Sequence, residues 1–172
     1  LRVLSYDIRT TMAIGNAQAQ TSLDDLLAQS DFVTLHVPET PQTQNMIGER
    51  ELSVMKRGSY ILNASRGTVI DVPALAKTLK SGHIAGAAVD VYPEEPESNS
   101  PGFSSPLQGL PNVILTPHVG GSTEEAQAAI GKEVATSLGR FLQTGTTIGA
   151  VNFPPCELAM MPGKHRIVNV HR

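Results

Sequence analysis

Short apolar runs alternate along the chain with stretches in which apolar residues recur at helical spacing. Runs typical of buried strands cover residues 2–6, 32–35, 60–62, 84–89 and 113–116. Asn-Gly or Asp-Gly pairs, which would join neighbouring strands as hairpins, do not separate these runs. Strands that alternate with helices in this way predict an α/β fold in which a doubly wound parallel sheet carries helices on its faces.

Capping residues and apolar spacing predict the intervening helices. Ser22, with Asp25 three residues later, begins the first helix, and a weaker helix is predicted over 46–55. The next helix covers 71–80, with Pro73 near its start. Ser122, with Glu125, is predicted to cap the longest helix, in which apolar residues recur every fourth position: Ala126, Ile130, Val134, Leu138 and Leu142.

Composition narrows the class of protein. The chain has 172 residues, of which 40% are hydrophobic and 17% charged, which is typical of a globular protein. A net charge of −3 with scattered basic residues gives no patch for nucleic acid. The single cysteine excludes an internal disulfide and suits a reducing compartment, so we expect a cytoplasmic protein that lacks a membrane segment. Both ends of the chain fall within apolar runs, and we therefore expect an internal fragment of a longer polypeptide.

Polar residues follow the five predicted strands directly. These residues are Asp7, His36, Asn63 with Arg66, Asp90 and His118. The carboxyl ends of parallel strands lie along one edge of the sheet, where open α/β sheets bind their ligands. The pattern therefore predicts a binding cleft along that edge.

Three of these residues suggest specific chemistry, and each also has a purely structural interpretation. Arg66 offers a planar fork of donors for a carboxylate or phosphate, although it could be an ordinary surface arginine in a turn. His118 could exchange a proton near neutral pH if an acid such as Asp90, Glu94 or Glu95 orients it, but an isolated histidine is more often structural.

Asp7 lies where dinucleotide-binding folds hold the ribose hydroxyls, and its carboxylate would repel a 2′-phosphate and favour NAD. It could equally cap a turn. The glycine fingerprint that precedes such an acid by about 20 residues is absent from this chain. Metal-ligand spacing is absent as well.

Taken together, four motifs resemble the D-isomer-specific 2-hydroxyacid dehydrogenase family. They are HVPETPQTQNMI, MKRGSYILNASRGTVID, HIAGAAVDVYPEEP and LTPHVGGST, in that order. Within the family, the chain is most similar to the members that oxidise D-3-phosphoglycerate to 3-phosphohydroxypyruvate with NAD, the first step of serine biosynthesis.

The resemblance implies a role for each site residue. Arg66 would bind the carboxylate and carbonyl of the substrate, and His118 would be the acid/base, paired with Glu95. Asp90 would orient the nicotinamide ring. The other residues implied to contact NAD are Asp7, His36, Val37, Pro38, Asn63, Ala64, Gly120 and Gly121.

The resemblance also implies a domain organisation. Residues 1–121 would form a Rossmann-like NAD-binding domain without its first strand and glycine-rich loop. Residues 122–153 would be a crossover helix and a return segment to the substrate domain, 154–163 a linker, and 164–172 the first strand of an ACT-type regulatory domain. His171 would lie near a serine effector. A tetramer is expected for the whole protein, and little or no activity for this fragment alone.

Three rival functions remain at this point. Another member of the family could act on a different 2-hydroxy or 2-oxo acid. A nucleotide-sensing module could keep the fold without turnover, although the set of Arg66, Glu95 and His118 speaks against it. A Rossmann-like methyltransferase could use Asp7 for a cofactor ribose, but it would not need His118 and Arg66.

Overall fold

The computed structural model describes residues 1–8, 15–96, 102–151, 153–157 and 163. It divides into two compact units, Leu1–His118 and Val119–Arg172. The strands of the first unit are β1 (Val3–Ser5), β2 (Ala17–Ala19), β3 (Phe32–Leu35), β4 (Ser59–Asn63), β5 (Ile84–Val89) and β6 (Val113–Leu115). Its helices are α1 (Leu23–Gln29), α2 (Glu49–Val54) and α3 (Val72–Lys80), and the second unit contains α4 (Glu124–Thr144).

The strands pair in parallel throughout, as the sequence pattern predicted. They form a two-stranded sheet of β1 and β2 and a four-stranded sheet in the order β3-β4-β5-β6. We predicted one sheet edge for all five strand ends. The structure instead assigns the strand before Asp7 to the smaller sheet and the other four strands to the larger one.

The core lies on the side of the larger sheet that the helices cover. Along β4, residues alternate between buried and exposed, so one face of the strand is packed and the other is open. Ile61, Ile84, Leu52 and Leu75 are at most 1% exposed and belong to one hydrophobic cluster. Burial of each such side chain contributes about 1.5–3 kcal/mol to folding, so this cluster fixes the positions of the strands whose ends carry the candidate site.

The predicted helix starts are confirmed for α1 and α3. The Ser22 hydroxyl accepts a hydrogen bond of 3.1 Å from the backbone N–H of Asp25 and donates one of 2.7 Å to its carboxylate. The Asp71 carboxylate accepts a 3.0 Å hydrogen bond from the backbone N–H of Ala74. Both contacts satisfy N–H groups that have no partner within the helix.

Two helix predictions were wrong in their bounds. Thr123, not Ser122, caps α4, and its hydroxyl accepts a 3.1 Å hydrogen bond from the backbone N–H of Ala126. The helix predicted over 46–55 is shortened to α2, because Ile47 pairs with Ile70 in a parallel bridge. Of the apolar side chains that recur along α4, Ala126 is half-buried, and Ile130, Val134, Leu138 and Leu142 are exposed. None of the helices described is both long and apolar enough to cross a membrane.

Candidate active site

The carboxyl ends of the four-stranded sheet form one edge that carries the candidate site. The residues Leu35, Asn63, Val89 and Leu115 are in register across the strands β3 to β6. The residues that follow them therefore meet at one edge, as is usual for ligand sites of open α/β sheets. His36, Asp90 and Thr116 occupy the first positions beyond three of these strands.

The His118 ring is paired with the carboxylate of Glu95. Nδ1 of His118 lies 2.8 Å from Oε2 and 3.0 Å from Oε1 of Glu95. Partial burial of Glu95 raises its pKa, but hydrogen bonds from the Tyr92 backbone N–H and the His118 ring outweigh burial, and the pKa is lowered overall. Glu95 is therefore a carboxylate at neutral pH and holds the proton of the imidazole on Nδ1. That tautomer leaves Nε2 to exchange a proton with a substrate.

The backbone of His118 is held in a turn that L-residues rarely adopt. Its φ angle is +49°, in the left-handed region, where non-glycine residues are uncommon. Oδ1 of Asp90 accepts a 3.2 Å hydrogen bond from the His118 backbone N–H and another from the Thr116 hydroxyl. Of the three candidate acids, Glu95 thus contacts the ring, Asp90 contacts the backbone, and Glu94 is exposed.

Arg66 lies in a tight polar turn after β4. The side-chain amide of Asn63 accepts hydrogen bonds from Ser65 and donates one of 3.0 Å to the Arg66 carbonyl. The Arg66 guanidinium is exposed, and its Nη1 donates a 2.6 Å hydrogen bond to the Ser65 carbonyl. A guanidinium has five N–H donors, so the others can serve an anionic ligand.

The turn that carries Arg66 touches the segment that carries Glu95. A Cβ atom on Gly67 would lie 2.0 Å from both the carbonyl carbon and oxygen of Tyr92, and 2.5 Å from the Pro93 nitrogen. Only glycine permits this approach of the two backbones. Arg66 and Glu95 therefore lie on two segments that are in direct contact.

Tyr92 and Thr116 belong to the site, although the sequence analysis did not single them out. The Tyr92 hydroxyl lies 2.9 Å from the Thr116 carbonyl and 3.1 Å from the Val89 carbonyl. The Tyr92 backbone N–H donates a 2.9 Å hydrogen bond to Oε1 of Glu95. Burial, followed by the carboxylates of Asp90 and Glu95, raises the pKa of the Tyr92 phenol. In the sequence, the position of Tyr92 between acidic residues in the motif DVYPEEP is the feature that could have indicated its place in the site.

The remaining residues predicted to bind NAD have different surroundings. His36 and Pro38 are exposed and Val37 is half-buried beyond β3, and Nε2 of His36 lies 3.1 Å from the Thr34 hydroxyl. Ala64 is exposed in the Arg66 turn, whereas Asn63 is 2% exposed. Asp7 follows β1 in the smaller sheet and is exposed.

Three predicted residues lie elsewhere in the chain. Gly120 and Gly121 are exposed residues of the second unit, ahead of α4. His171 and the predicted strand 164–172 lie outside the described residues. Among the residues described, His, Cys, Asp and Glu form no group of three that could hold a metal ion.

Comparison with known proteins identifies the family of this chain. Residues 1–120 match the family described as D-isomer specific 2-hydroxyacid dehydrogenase, NAD binding domain. The chain is 53% identical to D-3-phosphoglycerate dehydrogenase of Dictyostelium discoideum, over 99% of this chain and 42% of the relative. Its identity to the Escherichia coli K12 protein of the same name is also 53%, over 98% of this chain and 41% of the relative.

Solved structures share the fold. D-lactate dehydrogenase from Aquifex aeolicus, complexed with NAD and lactic acid, is 30% identical with a TM-score of 0.68, over 83% of this chain and 46% of that one. NAD-dependent formate dehydrogenase from Staphylococcus aureus, in complex with NAD, is 33% identical with a TM-score of 0.68, over 82% of this chain and 41% of that one.

The match to the family model covers more than two thirds of the chain, since it runs from residue 1 to residue 120 of 172. The chain in turn spans about two fifths of the length of the curated relatives named above, 42% and 41%. This chain therefore belongs to the D-isomer specific 2-hydroxyacid dehydrogenase family and carries the NAD-binding domain of that family.

Proposed function

We propose that the protein containing this chain oxidises D-3-phosphoglycerate to 3-phosphohydroxypyruvate with NAD. The observation that carries the proposal is the His118–Glu95 pair, 2.8 Å apart, on a segment in contact with the Arg66 turn. The identity to D-3-phosphoglycerate dehydrogenases over almost the whole chain supports the choice of substrate.

His118 would act as the base in the oxidation and as the acid in the reverse reaction. Nε2 takes the proton of the substrate hydroxyl while the hydrogen on the same carbon leaves as hydride. NAD supplies the acceptor for that hydride. The imidazolium that forms on His118 keeps its Nδ1–H on the Glu95 carboxylate, which stabilises the positive charge as it develops.

Arg66 would bind the substrate carboxylate. The guanidinium is exposed, and its planar set of N–H donors matches the geometry of a carboxylate. Two parallel N–H donors match the two oxygens of a carboxylate, and this pairing fixes which face of the substrate carbon is presented for hydride transfer.

The chemistry of the strand ends suits a dinucleotide. Asp7 would hold the adenosine ribose, and residues 36–38 would line the adenine side. Ala64, whose small side chain lets a ligand approach the backbone, would flank the nicotinamide together with Gly120 and Gly121. Asp90 would orient the nicotinamide ring.

The further organisation of the protein is also a proposal. Residues 1–121 would be the NAD-binding domain, 122–153 a crossover to the substrate domain, 154–163 a linker, and 164–172 the start of an ACT-type regulatory domain. Serine would then be an effector that binds near His171. We propose a cytoplasmic homo-tetramer, in line with the resemblance to family members of this type.

A substrate panel tests the proposed function. The full-length protein is assayed for NADH oxidation with 3-phosphohydroxypyruvate, hydroxypyruvate, pyruvate and glyoxylate. We expect the highest kcat/KM with 3-phosphohydroxypyruvate. A higher kcat/KM with one of the other acids would assign a different family activity. NADH binding without turnover on any of them would indicate a nucleotide-sensing module.

A further inference from the structure

We infer that Asn63 is a positioning residue for Arg66, and that its side chain does not contact the nicotinamide. The inference rests on the proposed function for the role of Arg66 as the carboxylate-binding group. It goes beyond that function because it assigns the Asn63 amide, which the family resemblance groups with the cofactor contacts, to the substrate side of the site.

The Asn63 amide is already occupied by the turn that follows it. Its Oδ1 accepts a 3.1 Å hydrogen bond from the Ser65 backbone N–H and a 2.8 Å hydrogen bond from the Ser65 hydroxyl. Its Nδ2 donates a 3.0 Å hydrogen bond to the Arg66 carbonyl. An amide oxygen has two lone pairs, and both are used here. With Asn63 only 2% exposed, its side chain has little surface to offer a cofactor.

Asn63 fixes the position of the turn relative to the sheet. It is the last residue of β4, in register with Leu35 on one side and Val89 on the other. Its backbone carbonyl also accepts a 2.9 Å hydrogen bond from the Asp90 N–H. The amide therefore projects from a backbone that neighbouring strands hold on both sides, and it transmits that position to Ser65 and Arg66.

The hydrogen bonds between Asn63 and Ser65 also fix the position of the Arg66 guanidinium. Ser65 is 8% exposed and bonded to Asn63 through both its N–H and its hydroxyl, and its carbonyl accepts the 2.6 Å hydrogen bond from Arg66 Nη1. The guanidinium is thus anchored on a residue that Asn63 anchors. Loss of the amide would leave buried polar groups of the turn without partners and release that anchor. Small displacements of a binding group are costly when it must orient a substrate.

The test compares ligand affinities of the full-length protein and its variants. Asn63→Ala removes all three contacts, and Ser65→Ala removes one of them. Ser59→Ala is the matched control, because Ser59 is a 2% exposed serine at the other end of the same strand, with a hydroxyl that has no hydrogen-bond partner among the described residues. Dissociation constants are measured for NADH and, in the NADH complex, for oxalate, which has the two adjacent carbonyl groups common to 2-oxo acids.

We expect Asn63→Ala to weaken oxalate binding roughly tenfold or more, as unpaired buried groups in the turn would require. Ser65→Ala should weaken it less, and both should leave NADH affinity within about twofold of the wild type. Turnover should show the same split, with a raised KM for 3-phosphohydroxypyruvate and an unchanged KM for NADH. In an Arg66→Ala background, Asn63→Ala should have no further effect on oxalate.

Each other outcome has a definite meaning. Weaker NADH binding in Asn63→Ala, persisting in the Arg66→Ala background, would overturn the inference and assign Asn63 to the cofactor. Equal losses in all variants including Ser59→Ala would overturn it in favour of general destabilisation. If Asn63→Ala does not fold, Ser65→Ala decides by the same criteria. Wild-type protein that binds oxalate but does not reduce 3-phosphohydroxypyruvate would overturn the proposed substrate alone. Wild-type protein that neither binds oxalate nor reduces any of the 2-oxo acids would overturn both proposals. If it reduces 3-phosphohydroxypyruvate without binding oxalate, the two KM values decide the inference.

Discussion

Glu95 and His118 are 23 residues apart in the sequence, yet Oε2 of the acid lies 2.8 Å from Nδ1 of the histidine. Two further contacts hold this arrangement. Asp90 binds the backbone N–H of His118, and the Tyr92 hydroxyl binds the carbonyl of Thr116, two residues earlier. The segment 90–95 thus holds the ring of His118, the backbone of His118 and the carbonyl of Thr116 together.

Glu95→Gln should lower kcat roughly tenfold or more, because glutamine cannot stabilise the imidazolium as a carboxylate does. The affinity for NADH should not change, since the carboxylate contacts the His118 ring and the Tyr92 backbone N–H and none of the residues proposed to hold NAD. Steady-state kinetics with 3-phosphohydroxypyruvate measure the effect. Glu94→Gln is the matched control: an adjacent exposed acid that should leave kcat unchanged. Similar losses in the two variants would argue that only the local charge matters.

The pairing of Glu95 with His118 should also make the stability of the protein depend on pH below 4.5, the ordinary pKa of a glutamate side chain. The folded state lowers the pKa of Glu95, so the unfolded state takes up a proton first as the pH falls. The contribution of Glu95 to stability is therefore fully present above pH 4.5 and is lost below it. Thermal unfolding of the wild type and of Glu95→Gln should give midpoints that converge on acidification. A difference that widens as the pH falls would contradict the assignment.

Gly67→Ala should destabilise the protein by several kcal/mol, because the added Cβ would overlap the backbone of Tyr92 and Pro93, which cannot rotate away. It should also lower kcat/KM, since it separates the Arg66 turn from the segment that carries Glu95. Chemical denaturation and kinetics test both effects. Gly131→Ala in α4 is the control, because a Cβ there meets nothing within 4 Å. It should be neutral or stabilise the helix by about 0.5–1 kcal/mol. Equal behaviour of the two variants would contradict the close approach.

Asp7→Asn should relax the preference for NAD. A carboxylate beside the ribose repels a 2′-phosphate, and an amide removes that repulsion while it keeps the hydrogen-bonding shape. The ratio of kcat/KM for NADH to that for NADPH should fall roughly tenfold, as expected for about 1.4 kcal/mol of charge repulsion. The ratio is measured on the full-length protein. An unchanged ratio would show that Asp7 does not lie at the ribose, and the structural interpretation of that residue would then stand.

The fold follows from the sequence wherever apolar residues dominate. The predicted bounds of β3 and β5 coincide with the observed strands. The strand β2 was missed because Ala-Gln-Ala contains no β-branched or aromatic residue and is only three residues long, and it exists through its pairing with β1. The cap of α4 was misplaced by one residue because Ser122 and Thr123 can each cap a helix, and local sequence does not distinguish them.

Sequence spacing could predict which residues reach the sheet edge but not how they are joined. The contact of Asn63 with Ser65 could be predicted from the sequence, because an asparagine side chain commonly accepts a hydrogen bond from the backbone N–H two residues later. The contacts of Tyr92 with Thr116 and of Gly67 with Tyr92 could not be predicted in this way. They depend on how two separate strand ends approach each other in space.

The most direct test of the account is NADH oxidation by the full-length protein with 3-phosphohydroxypyruvate, with and without His118→Ala. We predict turnover by the wild type that falls by about 10²-fold or more in the variant, the loss expected when a general acid/base is removed. NADH affinity should remain close to that of the wild type. Turnover that survives the substitution would contradict the assignment of His118 as the acid/base.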